Sequence, residues 1–279
     1  MFLLYIALFL LVAVLIMTKM KKSAALLFIT LFFVIIGSFL SGRIPVAMAM
    51  ENLKDWFNKE NESQMADSDN EEIFIVKIQD KVLIDTPSIP QFPELPRGCE
   101  VTSLAMLLQH AGVDVDKMTL AKEVRKNDEP YKQKDGKIYY GHPNDGFVGD
   151  MYTYEKRGLG VYHAPIKELA EQYLPGNILD ITGSDFSSIK THLSDDRPVW
   201  VITNTTYKKL PSASFQTWQT SSGEIDITYK EHSVLVTGYN EDYVFFNDPY
   251  TGQKNTKAPI KDFEAAWVQM GQQAITYLK

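Results

Sequence analysis

The sequence predicts an α+β domain in which N-terminal helices pack on an antiparallel sheet, the whole preceded by a membrane-spanning helix or hairpin. Three observations predict it. Two almost wholly apolar runs, 2–17 and 23–40, open the chain with Lys19, Lys21 and Lys22 between them. Segments of helical period follow in the first half of the rest. Runs of β-branched and aromatic residues then dominate from Pro198 onward. Helices first and sheet second is an α+β arrangement.

Each apolar run is near the lower length for crossing a bilayer, and flanking residues extend both. The lysines place the turn between them in the cytoplasm, so a two-helix hairpin puts the downstream domain outside. A second reading starts at Met20-Lys21-Lys22 and takes the stretch as a signal peptide, with Ala47-Met48-Ala49 as its small-residue cleavage site. Both readings place the domain outside the cytoplasm, as a membrane-anchored or a secreted protein. The expected organisation is an anchor over 1–45, an acidic linker over 46–72 and a domain over 73–279. The linker is rich in Asp and Glu and too poor in apolar residues to form a core.

Residues 73–84 alternate loosely and read as a strand or hairpin. Pro93 and Pro96 keep the chain extended or turning up to Gly98-Cys99, where a helix begins. Its apolar residues Val101, Leu104, Ala105 and Leu108 fall at the spacing of one buried face, and Gly112 stops it. Asp116 or Thr119 caps a short helix through Val124. Residues 126–154 mix glycines, charges and tyrosines without helical period and read as a long loop. Pro165 starts a helix over 166–173 that Pro175-Gly176 ends, and Ser184 caps another over 185–193. Residues 198–203 form a buried strand. Further strands over 225–229, 233–239, 243–246 and 274–278 continue the antiparallel sheet, with a helix over 259–270 before the last.

About 230 residues beyond the apolar end suffice for one domain with a sizeable core. The chain carries a net charge of −7 and has a pI of about 5.3. It shows no basic stripe interleaved with aromatics, which argues against a nucleic-acid partner. Its single cysteine excludes an internal disulfide and a multi-cysteine zinc site.

That cysteine, Cys99, sits at a helix N-terminus, where the dipole favours a thiolate. Gly98 before it allows close approach to the backbone. A nucleophile needs a base, and His232 opens an apolar strand in Glu-His-Ser-Val-Leu-Val-Thr-Gly-Tyr; the next strand ends in Asn247-Asp248-Pro249. The other histidines, His110, His142, His163 and His192, have no following strand expected to end in a carboxylate. Asp248 is the favoured orienting group, with Asn247 the alternative, because successive strand side chains face opposite sides.

The segments Gly-Cys-Glu-Val-Thr-Ser-Leu-Ala-Met-Leu-Leu from Gly98, Glu-His-Ser-Val-Leu-Val-Thr-Gly-Tyr from Glu231 and Asn247-Asp248-Pro249 resemble the stand-alone bacterial C39-like cysteine peptidases. These are papain-fold relatives of the enzymes that remove double-glycine leaders from bacteriocins. The similarity extends over Gly146-Phe147-Val148-Gly149, Gly160-Val161-Tyr162, Arg197-Pro198-Val199-Trp200 and Trp218. The resemblance implies a papain-like fold and hydrolysis of a peptide or protein substrate without metal or cofactor. In it Cys99 is the nucleophile, His232 the general base and acid, and Asp248 the orienter. It also implies that the side-chain amide of Gln91, eight residues upstream of Cys99, donates with the Cys99 backbone N–H to an oxyanion.

Transporter-fused members carry Asp-Cys-Gly where this chain has Gly-Cys-Glu, and no phosphate-binding G-x-x-x-x-G-K-[ST] loop is present. A separate transporter is therefore the form that partnership would take. Alternatives are amidase or transpeptidase action on cell-wall peptide, and a surface module that binds peptide without turnover. Tyr139, Tyr140, His142, Asn144, Asp145 and Phe147 read as groove lining, loop packing or a weak metal site. Trp200 reads as core and Trp218 as rim packing.

Overall fold

The computed structural model describes residues 77–279. The expected anchor, linker and start of the domain lie outside these residues. Among the described residues no helix is long and apolar enough to cross a membrane.

The elements run β1 (Val82–Leu83), α1 (Cys99–His110), α2 (Lys117–Glu123), β2 (Lys126–Asn127), β3 (Lys132–Lys134), β4 (Lys137–Tyr139), β5 (Phe147–Val148), α3 (His163–Tyr173), β6 (Ile178–Asp180), α4 (Phe186–Ser194), β7 (Val199–Asn204), β8 (Gln216–Thr220), β9 (Gly223–Ile227), β10 (Glu231–Tyr239), β11 (Tyr243–Asp248), β12 (Gln253–Pro259), α5 (Ile260–Gln269) and β13 (Ala274–Tyr277). The main sheet has the order β12-β11-β10-β7-β13-β6, with β1 also paired to β10, and every pairing in it is antiparallel.

Alternation along β7 and β10 divides the core. Trp200, Ile202 and Leu235 face one cluster with Leu104, Leu107 and Leu108 of α1. Val199, Val201, Val234 and Val236 face another with Phe186 and Ile189 of α4 and Phe263 and Trp267 of α5. The sheet is thus covered on both faces, by α1 to α3 on one and by α4 and α5 on the other. Central strands buried on both faces need unbroken apolar runs, and every residue of β7 and β10 is buried. Each fully buried Leu, Val or Phe contributes about 1.5–3 kcal/mol of transfer free energy.

Helix α1 differs from the amphipathic helix expected. Its first ten residues, Cys99 to Leu108, are all buried, because β10, β7, α2 and α3 enclose it. Two polar contacts fix its N-terminal half on the sheet. The Trp200 indole N–H donates to the Glu100 carbonyl at 2.9 Å, and the Ser103 hydroxyl to the Ser233 carbonyl at 3.2 Å. Gly98 precedes it where a Cβ would lie 2.5 Å from Leu95 Cβ, so the turn entering the helix demands glycine.

Asp116 caps α2 by accepting from the Met118 and Thr119 N–H groups. Asp185, rather than Ser184, caps α4 by accepting from Ser188 N–H. The expected loop over 126–154 holds four short strands: β2 pairs in parallel with β5, while β3 and β4 form a hairpin. β4 also runs parallel to β8, giving a second sheet, β3-β4-β8-β9. β9 therefore belongs to this sheet and not to the main one. Trp218, on β8 of this second sheet, is fully buried and packed with Tyr140, Val148, Leu159 and Ile227, which replaces the rim position expected of it.

Candidate active site

Strand pairing brings His232 and Asp248 together. Leu235 lies opposite Asn247, so Asp248 falls on the same face of the sheet as Val234 and, two residues back, His232. His232 Nε2 is 2.8 Å from Asp248 Oδ1, and both side chains are buried. Asn247 points the other way. Its amide donates to Thr86 Oγ1 at 2.7 Å and the Pro87 carbonyl at 2.8 Å, and its carbonyl accepts from Asn255 N–H at 3.0 Å. It ties the segment before α1 to β11 and β12 and does not reach His232.

Asp248 accepts three further hydrogen bonds, from Tyr250 N–H at 2.9 Å, Thr251 Oγ1 at 3.0 Å and the Tyr207 hydroxyl at 3.1 Å. Burial alone would raise its pKa. The His232 hydrogen bond and charge, with the Tyr250 and Thr251 bonds, outweigh burial and hold the carboxyl below the ordinary aspartate value. An ionised carboxylate only accepts, so His232 Nε2 carries the proton and Nδ1 is left as the basic nitrogen. Tyr207 and Tyr250 flank the imidazole, each with its ring centroid 6.2 Å away. Nothing in the sequence near Tyr207 marked it. Tyr250 and Thr251 follow directly after Asn-Asp-Pro, and that adjacency is the one local signal for them.

Cys99 and His232 line one pocket of about 120 Å³, together with Gln91, Arg97, Thr205, Glu231 and Tyr250. A larger, shallow hollow of about 560 Å³ along α5 holds no nucleophile. At the helix start, Gly98 provides no side-chain cap, and its carbonyl accepts from the Thr102 N–H at 3.0 Å.

Two findings correct the expectations for this pocket. The position of Cys99 at a helix N-terminus leads one to expect a thiolate. The thiol points instead to Glu100 Oε2 at 3.4 Å. Burial pushes its pKa well up, the Glu100 and Glu231 charges add to that, and the Ser233 backbone N–H only partly offsets them. The second concerns Gln91. It lies at the pocket wall, but its amide donates to the Leu95 carbonyl at 3.2 Å and the Pro96 carbonyl at 2.8 Å, and its buried Oε1 has no partner. The eight-residue stretch to Cys99 folds back as a tight turn whose carbonyls claim both amide hydrogens, so none is aimed at an oxyanion.

Two carboxyls beside the thiol, Glu231 on the pocket wall and Glu100 against Cys99 Sγ, had no role in the sequence reading of the site. Burial raises the pKa of both, Glu100 to about 7 and Glu231 well above the ordinary value. Glu231 sits directly before His232, but adjacency in a strand argues for opposite faces, and only the position of α1 brings it to the thiol.

The remaining candidates lie elsewhere. Tyr139, Tyr140, His142, Asn144, Asp145 and Phe147 do not line this pocket; of the expected loop only its last residue, Tyr154, does, with Gly158 and Leu159 just beyond it. His110 Nδ1 is 2.8 Å from the Tyr277 hydroxyl. His163 overturns the expectation that His232 alone has a carboxylate partner from a following strand. Its Nδ1 is 2.8 Å from Oδ2 of Asp180, the last residue of β6. That short strand, missed in the sequence, carries the pair away from Cys99.

A family model described as "Peptidase_C39 like family" matches residues 83–275. The chain belongs to this family. It is 50% identical over 187 residues to the uncharacterized protein YvpB of Bacillus subtilis (strain 168), a stretch that covers 67% of this chain and 71% of that protein. It is also similar to a crystal structure from Bacillus anthracis, solved as a candidate C39-like peptidase. The TM-score is 0.68 at 46% identity, over 72% of this chain and 98% of the other. The C39-like family assignment points to a cysteine peptidase, and the family match spans α1, β10 and β11, which carry the pocket.

Proposed function

We propose that this protein is a papain-like cysteine peptidase acting outside the cytoplasm, with Cys99 as nucleophile, His232 as general base and acid, and Asp248 as the residue that positions His232. The observation that carries the proposal is the His232–Asp248 hydrogen bond of 2.8 Å at the wall of the pocket that holds Cys99. The chemistry follows from that geometry. Cys99 Sγ attacks a peptide carbonyl carbon while its proton passes to His232 Nδ1. The oxyanion meets the free Cys99 backbone N–H at the positive end of α1. The imidazolium, stabilised by Asp248, returns the proton to the departing amine and leaves a thioester. Water deprotonated by His232 then hydrolyses the thioester. Because burial and two carboxyls keep the resting thiol protonated, deprotonation is coupled to attack, with no preformed ion pair.

The experiment is release of new amino termini from an unfolded protein substrate by the full-length chain in detergent. Wild type should cleave and Cys99→Ala should not; equal cleavage by both would overturn the mechanism. The raised pKa of Cys99 also favours a second reading, a peptide-binding module. A folded wild type that cleaves nothing, and whose thiol resists iodoacetamide up to high pH, would establish it. The extracytoplasmic placement rests on the two apolar runs and the lysines between them. An epitope after Lys279 should be removed by protease added to intact cells; protection of the epitope in intact cells, with loss on lysis, would reverse the placement.

A further inference from the structure

The surroundings of the Cys99 thiol hold more acid than a thiol hydrolase needs. Glu100 is fully buried; its Oε1 accepts from Val161 N–H at 2.6 Å and its Oε2 faces the thiol at 3.4 Å. Glu231 reaches the same place from β10, is 9% exposed, and its buried Oε1 has no hydrogen-bond partner. A buried carboxyl oxygen left unpaired is costly and calls for a partner.

Backbone geometry keeps room for one. A Cβ at Gly160 would lie 2.2 Å from Glu100 Oε1 and 2.9 Å from Glu231 Oε2, so only glycine lets both carboxyls converge there. Cys99 Sγ and one oxygen from each glutamate lie within 4.8 Å of one another. A tetrahedral zinc with Zn–S of about 2.3 Å and Zn–O of about 2.0–2.2 Å sets neighbouring S and O ligands about 3.5 Å apart. The observed separation of Sγ from Glu100 Oε2 is 3.4 Å.

We propose that Cys99, Glu100 and Glu231 form a binding site for Zn²⁺, and that the bound ion silences the enzyme by holding the nucleophilic sulfur. A thiolate with two carboxylates suits a borderline-soft dication better than Mg²⁺ or Ca²⁺, which prefer all-oxygen shells. The three anionic ligands carry a charge of −3, of which the ion cancels two, and the Lys126 ammonium acts on Glu100 from nearby. The pocket beside Cys99 and Glu231 leaves the fourth coordination position open to water. Only the inhibitory consequence rests on the peptidase reading; the site itself does not.

The test is direct titration of the full-length chain in detergent with Co²⁺, then with Zn²⁺. One equivalent of Co²⁺ should give a thiolate-to-metal charge-transfer band that one equivalent of Zn²⁺ abolishes. Cys99→Ala should lose the band, Glu231→Gln should bind at least tenfold more weakly, and His232→Ala should bind like wild type. Glu231→Gln replaces a carboxyl whose Oε1 makes no hydrogen bond, and an unchanged melting temperature will show that it folds. Absence of the band, wild-type affinity in Glu231→Gln, or loss of the site in His232→Ala in favour of a cysteine–histidine chelate would each overturn the proposal. Since binding is read without turnover, failure of the peptidase reading leaves this result interpretable. A working peptidase that Zn²⁺ does not inhibit would overturn the silencing role alone.

Discussion

Two histidine–aspartate pairs of equal length occupy different parts of this molecule. His232 and Asp248 join through Nε2 at 2.8 Å with both side chains buried; His163 and Asp180 join through Nδ1 at 2.8 Å with each side chain about one-fifth exposed. Each aspartate is pushed down by its histidine and by nearby donors against burial, Asp180 to about 2. What separates them is what else lies in reach. His232 shares a pocket with the only thiol. His163 shares a different hollow with Asn144, Thr182 and Gln273 and meets no nucleophile. A histidine–carboxylate pair is therefore an orienting device of general use, and it becomes a catalytic base only through its third neighbour.

The largest test of this contrast is the activity of matched variants. Cys99→Ala should fall to background, and His232→Ala should lose about 10²–10⁴-fold in turnover, the usual worth of a general base. His163→Ala should cleave at the wild-type rate; a loss comparable to His232→Ala would erase the distinction between the pairs. Asp248→Ala should cost less than His232→Ala, and Asp248→Asn less again, because an amide still accepts from Nε2. The same ranking should appear in kcat more than in KM.

Gln91 gives a sharper division within the pocket. Loss of an aimed oxyanion donor costs about 10²–10³ in kcat. Since both amide hydrogens of Gln91 go to the Leu95 and Pro96 carbonyls, Gln91→Ala should fall well short of that. A loss of that size would show that the amide turns into the pocket during turnover.

The effect of charge on the thiol comes next. Burial raises the pKa of Cys99 and the Glu100 charge raises it further. Glu100→Gln removes the second cause only, so iodoacetamide should alkylate Cys99 at lower pH than in wild type. An unchanged labelling profile would mean that burial and the Glu231 charge, without Glu100, control the thiol.

The smallest effect belongs to the outer pair. Asp180 has its pKa lowered from 3.8 to about 2, so it stabilises the fold above its unfolded value and loses that contribution as pH falls toward 2. For a partly exposed pair the contribution is about 1 kcal/mol. The melting temperature of Asp180→Asn should sit slightly below wild type at pH 5, and the gap should narrow as pH falls from about 4. A gap that widens would contradict the sign.

The legible parts of the fold and site share a physical cause. Cys99 at a helix start, Val199 to Asn204 as a buried strand, and His232 heading β10 are written in local pattern: period, β-branching and turn residues within about ten positions. The strands β2 to β5 were missed because each has only two or three residues, and β3 and β4 are mostly charged or polar. β12 is a polar edge strand with the sequence Gln-Lys-Asn-Thr-Lys-Ala-Pro, which carries no alternation to read. Their pairing energy comes from partners far along the chain, as β4 with β8, and a window along the sequence cannot see it.

By itself the sequence nominated the candidate reacting groups and their order, Cys99, then His232, then Asp248, because helix dipole, strand period and turn chemistry are local properties and the motifs around them resemble a known family. Strand parity allowed only one of Asp248 and Asn247 to face His232, and the register of β10 against β11 chose Asp248. Only tertiary structure decided the state of those groups. It buried the thiol, brought Glu100 and Glu231 to it across Gly160, and used up the Gln91 amide on its own loop. Desolvation and charge act through distances in space, and α1 and β10 are brought together by a core assembled from the whole domain.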